Sequence, residues 1–138
     1  MKKYICLFFI LSTAPVFLTA QKKDYKVVFD LTSKDTVDQK NVLRWVGQIL
    51  KDEPNANLEI VLYGQSLDMV VKEKSIAPDV ITQLLLNKNV SFKVCSIAMK
   101  RHNINNTQLI AGVETVPDGI YEIITRQHQG WGYIKVSH

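Results

Sequence analysis

Two short runs, residues 25–31 and 58–64, are nearly continuous in apolar, β-branched and aromatic side chains, and a third, residues 90–95, alternates Val90, Phe92 and Val94 with Ser91, Lys93 and Cys95. Stretches with helically spaced apolar residues separate them. A strand that is apolar along its length must be buried on both faces, which a parallel sheet flanked by helices provides. Thr36-Val37-Asp38-Gln39 has the spacing of a capping box, and Val42, Val46, Ile49 and Leu50 then share a helical face until Asp52-Glu53-Pro54-Asn55. Gly64 closes the second strand where the chain turns. A short helix is expected over residues 66–72, and another opens at Pro78 and carries Val80, Ile81, Leu84 and Leu85. Further short helices are expected over 96–102 and near 107–110, with a brief fourth strand at 113–116. Pro117-Asp118-Gly119 opens a last helix whose Ile120, Ile123 and Ile124 share a face, Gly130 suits its left-handed stop, and residues 133–136 form a fifth strand. Strands alternating with helices through short connections predict a single-domain α/β sandwich of three layers around a mostly parallel five-stranded sheet.

Residues 1–20 have a different character. Lys2 and Lys3 precede an apolar stretch from Ile5 to Leu18, and Thr19-Ala20 offers a small residue before Gln21. That is the order of a cleavable signal peptide, and the stretch is shorter than the roughly 20 residues that span a bilayer. The expectation is an exported, periplasmic domain of residues 21–138, with no membrane attachment after cleavage. Loss of Lys2 and Lys3 takes the 17 basic residues to 15 against 13 acidic ones. These are scattered, with no aromatic residues interleaved in a basic stripe, so nucleic acid is not an expected partner. Cleavage also removes Cys6 and leaves Cys95 as the one thiol, so no internal disulfide can form.

In a parallel sheet ligands gather beyond the carboxyl ends of the strands. Cys95 is at such an end, Ser96 is placed to open a helix whose N-terminus favours a thiolate, and Lys100, Arg101 and His102 add positive charge nearby. Gly64, Gln65 and Ser66 belong to the same edge, and together with Ser96 and His102 they are the candidate substrate-binding residues around a catalytic Cys95. Free cysteine is also among the residues most often buried simply as packing, so an inert thiol stays open as a second reading. His102, His128 and His138 lack the paired spacing of a zinc site, and no glycine-rich phosphate loop follows the first strand, so neither metal nor cofactor is expected. A Cys95–His102 hydrolase lacks a recognisable third member. Trp131 and Tyr133 read as core or interface anchors.

The order of Leu58-Glu59-Ile60-Val61-Leu62-Tyr63-Gly64, Val90-Ser91-Phe92-Lys93-Val94-Cys95, and Val113-Glu114-Thr115-Val116-Pro117-Asp118-Gly119-Ile120 followed by Gly130-Trp131-Gly132-Tyr133-Ile134 resembles the DsrE/DsrF-like family from about Tyr25 to Val136. The resemblance implies a homo-oligomer, a trimer or hexamer, with the strand-end cysteine near subunit contacts. It further implies that Cys95 accepts and passes sulfur as a persulfide, in the manner of a sulfur carrier or sulfurtransferase, between a donor and an acceptor protein. The other class of function is a non-catalytic oligomeric binding or assembly module in which Cys95 is structural.

Overall fold

The computed structural model describes residues 24–137; the expected signal segment lies outside the described residues, as does His138. Five strands form one sheet: β1 (Lys26–Leu31), β2 (Asn57–Leu62), β3 (Val90–Cys95), β4 (Glu114–Val116) and β5 (Gly132–Lys135). The order across the sheet is β4-β3-β2-β1-β5, and every neighbouring pair is parallel. The helices are α1 (Thr36–Asp52), α2 (Pro78–Leu85), α3 (Ser96–Arg101) and α4 (Gly119–His128), with 3₁₀ turns at Ser66–Val70 and Asn106–Gln108.

This topology determines which face each helix covers. The chain steps from β1 to β4 in one direction, then jumps back past β3, β2 and β1 to place β5 beside β1. Right-handed crossovers require a reversal of direction to move the connecting helix to the opposite face. Accordingly α1, α2 and α3 help to fill one large core with Phe29, Leu31, Leu58, Ile60, Leu62, Phe92 and Val94, whereas α4 packs over the other face, where the buried cluster is only Val28, Val61 and Ile123, flanked by Tyr63 and Trp131. The expected sandwich is therefore present, with its two cores strongly unequal.

Local details depart from the expectation in three places. The capping box at Thr36 is not made: Asp35 is the N-cap, its carboxylate accepting from the Val37 amide at 2.7 Å, and Gln39 reaches the Lys34 carbonyl instead. The expected helix after Gly64 is a 3₁₀ turn. On α4 only Ile123 of the three isoleucines is buried, while Ile120 and Ile124 are 55% and 44% exposed. The stripe expected to face the core instead looks mostly outward, because α4 lies on a polar sheet face and is held there by charge as well as by hydrocarbon.

The polar groups of that face are paired. Glu59 of β2, almost fully buried, accepts from Arg126 of α4 through Nε at 3.1 Å and Nη2 at 2.8 Å, and the same Nη2 lies 2.9 Å from Glu122. The guanidinium also lies 5.0 Å from the centre of the Trp131 ring. Burial raises the Glu59 pKa above the ordinary glutamate value; Arg126 opposes that rise and Glu122 adds to it. At the carboxyl end of β1, Asp30 accepts from Tyr133 Oη at 2.6 Å and Lys135 Nζ at 3.0 Å, and Lys135 also donates to Thr32. The hydrogen bond to Asp30, together with burial, pushes the Tyr133 phenol up to about 12.

Candidate functional site at the carboxyl edge of the sheet

Cys95 ends β3, with Cα in register with Val116 of β4, and the next residue begins α3. Alternation along β3 puts Cys95 on the face shared by Ser91 and Lys93, where Gly119 of α4 lies against its Cβ, while at the strand end it also joins the edge of the large core with Val94, Ala98 and Met99. Its side chain is 6% exposed, so the thiol is nearly sealed. Cys95 takes the N-cap position of α3, but its sulfur accepts no hydrogen bond from the first-turn amides, so the expected helix-end contact is a matter of place and not of a formed bond.

What closes over the thiol comes from the far end of the chain. Gly119, the first residue of α4, sits so tightly on the sheet that a Cβ there would lie 3.3 Å from each of Cys95 Cβ, Tyr63 Cβ and Val61 Cγ1. A side chain here would push the helix or its neighbours apart by a few tenths of an ångström, and glycine avoids that. Asp118 caps the helix at that point, its carboxylate accepting from the Ile120 and Tyr121 amides at 2.8 and 3.3 Å. Tyr63, beside Cys95 on the next strand, has its phenol pKa raised by burial and by Asp30, and its ring lies 5.8 Å from Lys135 Nζ. A line of polar side chains thus runs from Cys95 through Tyr63 to Asp30, Tyr133 and Lys135.

Three of the expected binding residues, Gly64, Gln65 and His102, come together at the turn after β2. His102 Nε2 lies 2.6 Å from the Gly64 carbonyl, a distance that requires the ring nitrogen to donate. Gly64 has φ +64°, the left-handed conformation that the turn after β2 needs and that glycine adopts without strain. His102 and Gln65 line a cavity of about 210 Å³ with Lys34, Leu67, Asp68 and Lys74. Ser66 is not available to a ligand: it is fully buried and its hydroxyl shares one proton between the Leu31 and Tyr63 carbonyls, at 2.7 and 2.9 Å. Ser96 lines a second cavity of about 250 Å³ with Met99, Lys100, Ile104, Asn105, Asn106 and Thr115. Cys95 is not among the residues lining either cavity.

The contributions of Lys34, Asp68, Lys74, Tyr63 and Gly119 were not anticipated. Strand alternation could have found Tyr63, one pleat beyond Val61 on the same face, but nothing local marks Gly119 as the cover of a thiol 24 positions earlier. Among the described residues no three His, Cys, Asp or Glu side chains converge as a metal site, and no helix is long and apolar enough to cross a membrane.

Solved structures with the same fold include a protein of unknown function, MTH1491, from Methanobacterium thermoautotrophicum, with a TM-score of 0.76, 26% identity, and coverage of 81% of this chain and 99% of that one. The ychN protein from E. coli superposes with a TM-score of 0.68 at 17% identity, covering 81% of this chain and 98% of its own. BT1422, a conserved protein of unknown function from Bacteroides thetaiotaomicron, does so with a TM-score of 0.61 at 16% identity, covering 80% and 94%. No curated protein sequence matches the chain. Residues 7–136 match the DsrE/DsrF-like family, and with the same parallel fold present in these structures, the chain belongs to that family.

Proposed function

We propose that this is an exported sulfur carrier in which Cys95 reversibly holds sulfur as a persulfide. Family membership supports a sulfur-related function. The observation that supports the finer reading is the position of the thiol: at the carboxyl end of an inner strand, on the polar face of the sheet, beside Tyr63 and under the first turn of α4. In the transfer, the Cys95 thiolate attacks the outer sulfur of a donor persulfide, the donor's S–S bond breaks, and the donor thiolate leaves and takes up the proton that Cys95 gave. The step is redox-neutral and needs no cofactor. Passing the sulfur on repeats the exchange, with an acceptor thiol as the attacking group. His102, Gln65 and Gly64 would then serve as part of a docking edge for the donor or acceptor, and Ser96 as part of a second, while Ser66 acts by holding the turn after β2.

Incubating the protein with a small persulfide donor should add one sulfur to the intact mass of the wild type and none to Cys95→Ser. An adduct of equal size in both, or in neither, contradicts the carrier reading.

Export and assembly belong to the same proposal. The basic start, apolar middle and Ala20 support cleavage before Gln21, and large apolar side chains left exposed on α2 (Val80), just after it (Leu86) and on α4 (Ile120, Tyr121, Ile124) support a homo-oligomer, for which the family resemblance implies a trimer or hexamer. Native mass spectrometry of the full chain expressed in a bacterium with a periplasm should give subunits beginning at Gln21 in a multiple of three. Monomers that begin at Met1 contradict both parts.

The near-complete burial of Cys95 favours a second reading, a non-catalytic assembly module with a structural thiol. It is separated from the first by the same mass experiment, since a packed thiol takes up no sulfur in the native state.

A further inference from the structure

We propose that α4 is a gate over Cys95, latched by Arg126 and closed by Gly119, so that the thiol is reached through local opening of this helix and not through unfolding of the domain. The proposal rests on the reading of Cys95 as the reactive residue, but its test reads access alone.

Four observations carry it. First, α4 covers Cys95 on one side: the first turn of the helix, at Gly119, lies against the Cβ atoms of Cys95 and Tyr63 and against Val61, so closely that a Cβ there would meet all three at 3.3 Å. Second, among the described residues α4 is the one helix on its face, and its buried hydrocarbon contact is Ile123 on Val28 and Val61, against a core on the other face that holds three helices. Elements with few buried apolar contacts open at the low end of the range of local free energies. Third, the attachment that remains is concentrated in one side chain: Arg126 spans Glu59 of the sheet and Glu122 of its own helix, and stacks over Trp131. Loss of one partner from such a pair leaves a buried charge alone, which is why a single substitution can release the helix. Fourth, the chain leaves the helix through Gly130, which has φ +81° and no heavy atom within 4 Å of a Cβ built there, so the C-terminal end of the segment turns in open space. The outward apolar residues Ile120, Tyr121 and Ile124 add nothing to the hold within one chain. A neighbouring copy that covers them would tighten the gate, so all measurements are made at one fixed protein concentration.

The test is the rate at which an alkylating reagent labels Cys95 in the folded protein, followed by mass over a series of low urea concentrations. Two variants are compared, Arg126→Ala, which releases the latch, and Phe29→Ala, which weakens the large core by a similar amount and leaves α4 anchored. The wild type is expected to label slowly, with a rate almost independent of urea, the mark of a small opening. Arg126→Ala should label on the order of a hundredfold faster with the same shallow dependence. In Phe29→Ala any acceleration should follow the steep urea dependence of global unfolding. Hydrogen exchange on the same samples keeps the result readable if Arg126→Ala is marginally stable: α4 amides should lose protection while those of α1 keep it. Equal labelling of the two variants, or a steep urea dependence in the wild type, overturns the gate. Rapid labelling of the wild type at the rate of a free thiol overturns it too. Failure of the sulfur-loading experiment with the labelling pattern intact would remove the carrier reading and leave the gate standing.

Discussion

Arg126→Ala is expected to lower the stability of the folded chain by about 3–5 kcal/mol near neutral pH, and by clearly less in acid. Arg126 meets Glu59 through two nitrogens, and Glu59 keeps 2% of its side chain exposed, so truncation leaves a carboxylate in the interior beside Ser91 Oγ, at 3.4 Å, and the carboxyl group of Glu122, with no cation to balance it. The pH dependence follows from the direction of the Glu59 shift. Burial holds its folded pKa above the ordinary glutamate value even with Arg126 in place. A carboxyl raised in the folded state stabilises the fold fully below its unfolded pKa, and that contribution is lost as pH rises through the folded value. Removing Arg126 takes away the opposing influence and moves the folded pKa higher still, so the penalty is greatest where Glu59 would be ionised and shrinks where it can protonate. Urea unfolding of wild type and variant at roughly pH 4 and pH 7 checks this. A deficit of the same size at both values would mean that Glu59 is not the group left unpaired.

Phe29→Ala is expected to cost a similar amount, about 3–5 kcal/mol, with no pH dependence. Phe29 is fully buried at the middle of β1, between β2 and β5, in register with Ile60 and Ile134. Its ring fills the large core that includes Val42 and Val46 of α1, and its loss leaves a cavity in a region crossed by rigid strands that cannot collapse into it. No titratable partner is exposed or orphaned by the change, so the unfolding midpoint should fall equally at both pH values with an unchanged slope. A loss below about 1 kcal/mol would mean that the core relaxes around the gap, contrary to the packing described. The two substitutions thus probe the two faces of the sheet by different physics, hydrocarbon packing on one and a desolvated ion pair on the other.

That difference between faces also explains what could and could not be read from the sequence. β1, β2 and β3 were legible because their large-core residues, Val27, Phe29 and Leu31, Leu58, Ile60 and Leu62, Val90, Phe92 and Val94, repeat with a period of two or as unbroken apolar runs. The position of Cys95 followed from the end of such a run. The start of α1 was misjudged by one residue because Asp35 and Thr36 are both good caps, and which one takes the role depends on where the chain leaves β1. The orientation of α4 was not legible at all. Three isoleucines suggested a buried stripe, but the helix turns Arg126 and Glu122 toward Glu59, a residue in the middle of an otherwise apolar strand. Glu59 was the visible sign that something charged had to meet it, since a lone buried carboxylate is too costly to keep. Its partner, 67 residues later, could be identified only by the fold.

The same holds for the candidate site. Gln65 is legible from its place just past a strand end and His102 from its charge close to Cys95 in sequence, and the fold brings them to one cavity. Lys34 and Lys74, which line it with them, stand in loops whose path depends on the turns after β1 and after the first 3₁₀ turn. Ser66 was read as a ligand contact because it follows the turn glycine, whereas its hydroxyl is consumed by two backbone carbonyls.

Whether Cys95 carries transferable sulfur is decided most directly by cyanide treatment of protein loaded with a persulfide donor and freed of excess reagent. Cyanide removes the outer sulfur of a persulfide as thiocyanate and returns the thiolate, so the wild type should release one thiocyanate per chain and Cys95→Ser none. Release of no thiocyanate from the loaded wild type, or the same quantity from the serine variant, would contradict the assignment of Cys95 as the sulfur-bearing residue.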